Sequence, residues 1–159
     1  MTPINLLLVD DENSFVEIIS QRLRKRGFNV TGVFNGKDAF DLIAINENID
    51  VIIMDIAMPG MDGIEALQKI KNKCPLIEII MLTGHSSVSS AISAMKIGAF
   101  DYAMKPCDID VLIAKVNAAA NRKRDRENKI LQIRMVPYIT KRERDERISK
   151  ILESSKNLG

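Results

Sequence analysis

Five side chains in this sequence are of the types that phosphoryl chemistry uses. Asp10 and Asp11 follow one short apolar run, Asp55 ends another, and Thr83 and Lys105 follow two more. Carboxylates brought to one edge of a fold repel one another, by about 4 kcal/mol per pair at ~4 Å and an effective dielectric of 20. Something positive must offset that repulsion. A hard divalent cation such as Mg2+ suits such oxygens and keeps room in its shell for phosphate oxygens. One carboxylate can then attack a phosphoryl group while a Lys and a hydroxyl hold its oxygens. The set contains no Ser–His or Cys–His pair, so acyl transfer by an activated nucleophile is poorly supported.

The elements that must position these groups follow from hydrophobic periodicity. Ile4–Val9, Phe28–Val33, Val51–Met54, Ile77–Leu82 and Ala99–Met104 are short apolar runs bounded by polar residues, the pattern of buried strands. Between them, apolar residues recur at helical spacing: Phe15, Ile18, Ile19 and Leu23; Ala39, Phe40, Leu42 and Ile43; Ile64, Leu67 and Ile70; Val88, Ala91, Ile92 and Met95. A fifth set is Val111, Leu112, Val116, Ala119 and Ala120. Asn35, Ser86 or Ser87, and Asp108 are candidate N-caps, and Gly27 and Gly98 are candidate stops. Five strand–helix repeats predict a parallel sheet covered on both faces. Ligands then bind at the carboxyl ends of the strands, where the five polar residues sit. No Gly-x-Gly-x-x-Gly follows the first strand and no Gly-Lys-Ser/Thr loop occurs, which disfavours dinucleotide binding and nucleotide triphosphatase activity.

The whole chain has 159 residues and a net charge of +2, but that charge is divided. Residues 1–120 carry 11 Lys and Arg against 15 Asp and Glu, and residues 121–159 carry 12 against 6, so a body at −4 precedes a tail at +6. The run from Asn121 to Asn128 is almost wholly polar and lacks Gly and Pro, so the fifth helix can continue through it. A break is expected near Pro137, and Thr140-Lys141-Arg142-Glu143 has the form of a capping box opening a short final helix. The division predicted is therefore 1–120 as one domain and 121–159 as a basic helical extension. No apolar run reaches the ~20 residues of a membrane helix. The amino-terminal residues lack the pattern of a secretory signal, and two cysteines exclude a disulfide scaffold, so a cytoplasmic protein with no membrane role is expected.

Taken together, Asp10-Asp11, the stretch from Asp55 through Pro59-Gly60 to Asp62-Gly63, Thr83 and Lys105-Pro106 resemble the receiver domain of two-component response regulators over about residues 3–120. The resemblance implies a flavodoxin-like, doubly wound α/β fold, with five parallel strands in the order 2-1-3-4-5, here followed by a helical tail. It implies that Asp55 accepts a phosphoryl group from a sensor histidine kinase or phosphotransfer protein. Mg2+ would be held by Asp10, Asp11, Asp55 and the backbone carbonyl of Ala57, with Asp10 acting mostly through water. Lys105 would pair with the acids and then with the phosphoryl group. Thr83 and Tyr102 would act as the switch pair, and the Lys105–Pro106 bond would be cis. The chain would then be a phosphoacceptor switch rather than an enzyme, with protein–protein contact as its output.

Plainer readings stand beside these. Asp10 and Asp11 are also good helix caps, Tyr102 is an ordinary strand aromatic, and Cys107 is an ordinary small buried residue. A Mg2+-dependent phosphatase is disfavoured because Ala57 stands where a second acid would be needed two residues after Asp55. The basic tail is most simply a solvated helical face. Its alternatives are a homodimer contact, together with the fourth helix, fifth strand and fifth helix, or DNA binding by a transcription regulator. Nucleic acid is the weaker partner, since Tyr138 is the tail's one aromatic residue. His85, two residues after Thr83, is most simply an inert lone histidine; the sharper reading is that, with Ala57, it sets water access to the phosphoryl group. Replacing His85→Ala should then change the lifetime of phosphorylated Asp55, read as phosphate release over time. An unchanged rate removes that role.

Overall fold

Helical and strand periods alternate through the chain as β1 (Asn5–Val9), α1 (Asn13–Lys25), β2 (Asn29–Val33), α2 (Gly36–Ile45), β3 (Val51–Asp55) and α3 (Gly63–Lys73). There follow β4 (Glu78–Thr83), α4 (Val88–Ile97), β5 (Asp101–Met104), α5 (Ile109–Met135) and α6 (Lys141–Glu153). These come from a computed structural model, which describes residues 2–46, 48–84 and 88–154. All strand pairs are parallel and the order is β2-β1-β3-β4-β5, the order implied by the resemblance.

Side-chain alternation along each strand builds two cores. Leu7, Val9, Ile52, Met54, Ile79 and Met81 face α2, α3 and α4, whereas Leu6, Leu8, Val51, Ile53, Ile80 and Leu82 face α1 and α5. Each fully buried Leu or Ile contributes about 1.5–3 kcal/mol. Caps set the helix starts: the side chains of Asn35, Asp62 and Asp108 accept from Asp38 N, Glu65 N and Asp110 N at 2.8, 2.9 and 2.7 Å. Gly27, at φ +93°, turns the chain out of α1 in a conformation that other residues rarely take. The expected cap at Ser86 or Ser87 lies outside the described residues.

Four of the apolar residues at helical spacing stay at the surface. Ile18, Val88, Ile92 and Val111 are 37–51% exposed. In α1 the buried stripe is Val16, Ile19, Ser20 and Leu23, and Ile18 falls beside it. In α4 only Ala91 and Ala94 are buried, because small residues let that helix lie close to the sheet.

The tail departs further from expectation. The 27-residue α5 is about 40 Å long, and its distal half reaches the opposite edge of the sheet, where the strands begin. There Glu78, the first residue of β4, has no solvent exposure. Arg126 donates from Nη1 to Glu78 Oε1 at 2.8 Å, Lys71 Nζ stands 3.8 Å from the same oxygen, and Arg122 Nη1 is 3.9 Å from Oε2. Beside it, Lys123 donates to Asp50 Oδ1 at 3.3 Å and to Glu127 at 2.6 Å. Lys123 and Arg126 are 6% and 4% exposed, so this part of the basic tail is not a solvated face but the counter-charge of two buried acids. Arg126 also donates from Nη2 to the Leu152 carbonyl at 3.1 Å, which ties α6 to the same point. The turn between these helices carries Pro137 and Tyr138, the latter at φ +70°, and α6 opens with the Thr140–Glu143 capping box.

Removing one partner from a buried ion pair costs about 3–5 kcal/mol, and Lys71 and Arg122 remain to moderate the loss. Arg126→Ala should therefore destabilise the chain by about 3 kcal/mol in urea denaturation. Adding Glu78→Gln should recover part of that loss. Full stability in the single variant would show that the pair does not hold the tail.

Candidate functional site

The parallel register brings the strand ends level. Val9 pairs with Met54, Asp55 with Leu82, and Thr83 with Met104, so Asp10, Asp55, Thr83 and Lys105 emerge at one edge. Backbone bonds hold the edge in place: Asp10 N donates to Val33 O, Ile56 N to Leu82 O and Lys105 N to Thr83 O, at 2.9–3.2 Å.

Asp10, Asp11 and Asp55 each offer a carboxylate oxygen within 4.8 Å of the others. Asp10 is fully buried, Asp55 is 8% exposed and Asp11 is exposed. Lys105 Nζ donates to Asp10 Oδ2 and lies 3.6 Å from Asp55 Oδ2. Among the described residues, one ammonium against three carboxylates leaves the edge net negative. Burial and the charge of Asp10 push the Asp55 carboxyl above its ordinary value, with Asp11 adding to the rise and Lys105 and the Ala57 N–H opposing it. Burial alone would lower Lys105, but its bond to Asp10 and the charges of Asp10 and Asp55 outweigh that and raise it. The donor set is all oxygen, compact and under-neutralised, which fits a hard divalent cation such as Mg2+.

Of the remaining expected residues, Ala57 and Thr83 adjoin this cluster. Ala57 is exposed and its N–H donates to Asp55 Oδ1 at 3.3 Å. Thr83 is fully buried, and its hydroxyl donates to the Gly84 carbonyl at 3.0 Å. Tyr102 is half-buried against the α4-side core. The Lys105–Pro106 bond is cis. His85 lies outside the described residues. Asp10 and Asp11 are not the cap of α1; Glu12 holds that position without a side-chain cap bond, and Asp10 Oδ1 accepts from Glu12 N at 2.9 Å. Cys107, expected to be buried, is half-buried, and that burial pushes its thiol up, with Lys115 opposing and Asp108 adding.

Two residues gain roles that sequence reading did not assign. Phe15, counted there among the core positions of α1, lies with its ring centroid 4.4 Å from Lys105 Nζ and steers the ammonium by cation–π attraction. Gly63, part of the Asp55–Gly63 stretch quoted there, starts α3 directly beneath Asp55. A Cβ at that position would stand 2.2 Å from the Asp55 carbonyl oxygen and 2.8 Å from Ile56 Cα, so only glycine fits. The motif Asp62-Gly63 carried the signal, but close backbone approach is a tertiary fact.

Comparison with known proteins points in one direction. The family model described as the response regulator receiver domain matches residues 6–117. The DNA-binding transcriptional regulator NtrC of Escherichia coli K12 is 39% identical over 112 residues, which is 70% of this chain and 24% of that protein. An NtrX-like response regulator of Rickettsia typhi is 34% identical over 139 residues, 86% of this chain and 29% of that protein. The chain thus spans roughly a quarter of the length of these curated relatives. Among solved structures, a receiver domain protein of Clostridium thermocellum superposes with TM-score 0.74 at 35% identity, covering 76% of this chain and 97% of that one. A structure titled adenylate cyclase from Rhodopirellula baltica gives TM-score 0.80 at 29% identity, covering 85% and 100%.

A raised carboxyl binds its proton more tightly in the folded chain than in the unfolded one. Stability linked to Asp55 is therefore greatest below the ordinary value of 3.8 and declines as pH rises through the raised value. In chelator at neutral pH, Asp55→Asn should raise Tm, by about 2–4 °C for each kcal/mol of repulsion removed. The gain should shrink as pH falls toward 3.8. A lower Tm for the variant at neutral pH would contradict this charge balance.

Proposed function

This chain belongs to the response regulator receiver domain family, and on that premise we propose that Asp55 accepts a phosphoryl group from a histidine kinase or phosphotransfer protein. The observation that carries the reading is the convergence of Asp10, Asp11 and Asp55 with Lys105 at one strand edge. An Asp55 carboxylate oxygen forms the new P–O bond as the P–N bond to the donor imidazole breaks, and the leaving imidazole takes up a proton. Asp10, Asp11, Asp55 and the Ala57 carbonyl would hold Mg2+, which supplies charge neutralisation for the phosphoryl oxygens. Lys105 moves from the acid pair toward the new phosphoryl group, whose three acceptor oxygens add negative charge beside it.

The Thr83 hydroxyl must leave the Gly84 carbonyl to reach those oxygens, and Tyr102 follows it into the space beside α4. Contacts made only in the phosphorylated state are what shift the population toward the active conformation. The chain acts as a switch rather than a turnover enzyme, with residues 1–120 as the receiver and 121–159 as its extension. Its output is protein–protein contact in the cytoplasm. Among the described residues, no helix is long and apolar enough to cross a membrane. A DNA-binding role through the basic tail is less well supported, because Lys123 and Arg126 are buried against Asp50, Glu127 and Glu78.

Incubation with Mg2+ and a small phosphoryl donor such as phosphoramidate should add one phosphoryl group, seen by intact mass. Chelation or Asp55→Asn should abolish it, and Lys105→Ala should slow it by roughly 10²-fold. Thr83→Ala should still accept the group but lose the shift of Tyr102 resonances. Undiminished labelling of Asp55→Asn would sink the proposal.

A further inference from the structure

Away from the Asp55 edge, a cavity of about 730 Å3 opens where the loop after α3, the distal half of α5 and α6 meet. Leu76 and Ile77 form one wall, Ile130 and Leu131 a second, and Ile148 and Leu152 a third. The packing here is unfinished. The only apolar residues of α6 are Ile148, Ile151 and Leu152, and the helix buries none of its residues against α5. Leu131 is 56% exposed. Two of the walls are helices whose lining positions stand three or four apart, Glu127, Leu131 and Arg134 on α5 and Ile148 and Leu152 on α6, the surface into which another helix packs.

Charge selects the occupant. Lys123 and Glu127, which also line the cavity, neutralise one another at 2.6 Å. Lys73 and Arg134 line it too, and neither has an ion pair among the described residues. The groove is apolar with a net positive rim, and the tail around it carries +6. A second copy offering the same basic hairpin would set like charges against each other.

We propose that this groove docks an amphipathic helix of a partner protein, with an apolar stripe against Leu131, Ile148 and Leu152 and acidic residues facing Lys73 and Arg134. The site is separate from the phosphoacceptor edge and does not depend on phosphoryl transfer.

Two designed helical peptides sharing one leucine stripe, flanked by Glu in one and by Lys in the other, provide the probe. Binding to the full chain is read by fluorescence anisotropy. The Glu peptide should bind at least about tenfold more tightly than the Lys peptide. Lys73→Glu with Arg134→Glu should reverse that preference, and all of these positions are at the surface or groove wall, so folding is retained. Leu131→Ser should weaken the Glu peptide about tenfold while leaving the thermal unfolding midpoint nearly unchanged. Equal affinities, no binding of the Glu peptide, or binding indifferent to Leu131→Ser would overturn the proposal. So would self-association in sedimentation velocity that Leu131→Ser removes, since the groove would then belong to a second copy.

Discussion

Negative charge gathered at both ends of one parallel sheet is the constraint on which this structure depends. All five strands run the same way, so every strand end lies at one edge and every strand start at the other. At the first edge stand Asp10, Asp11 and Asp55; at the second, Asp50 and Glu78. A carboxylate withdrawn from water must find a cation or hydrogen-bond donors, because solvation no longer offsets its charge. The two edges meet that requirement differently. At the start of the strands the cations of α3 and α5 match the acids. At the far edge, among the described residues, the ammonium of Lys105 faces three carboxylates, and that deficit suits the edge to the cation and phosphoryl group proposed for it.

This difference separates scaffold from chemistry. The matched edge is closed: Glu78 is held by Arg126 with Lys71 and Arg122 close by, and Arg126 extends the arrangement to α6. The under-matched edge is the one to which the phosphoryl chemistry is assigned by proposal: Asp55 is 8% exposed, its carboxyl binds a proton more tightly than usual, and the ammonium of Lys105 stands 3.6 Å away. Strand β4 belongs to both, with Glu78 at its start and Thr83 at its end. The tail is therefore packed as part of the body, even though its composition differs sharply from it.

Much of this was legible in the residues. Period-two and period-3.6 patterns place strands and helices because backbone geometry dictates which side chains share a face. Asn35 and Asp108 start their helices for local reasons, since the donors they satisfy lie two or three residues away, and Asp62, not read as a cap in the sequence, does the same. Acids, hydroxyl and lysine at successive strand ends converge in any parallel sheet with β1 and β3 adjacent. Exposure was less legible. Ile18, Val88, Ile92 and Val111 look like core residues by type, yet which flank of a helix is covered depends on how closely it approaches the sheet.

The sequence by itself determined the strand–helix alternation, the acidic edge and the chemistry that edge invites, because each rests on residue type and short-range spacing. Only the tertiary structure decided that Phe15 shares Lys105 with the acids and that Gly63 admits the backbone of Asp55. The same holds for Lys123 and Arg126, which turn inward to Asp50 and Glu78. Those contacts join residues far apart in the chain. An exposed and a buried arginine have the same sequence signature until the acid that pairs with one of them is brought beside it.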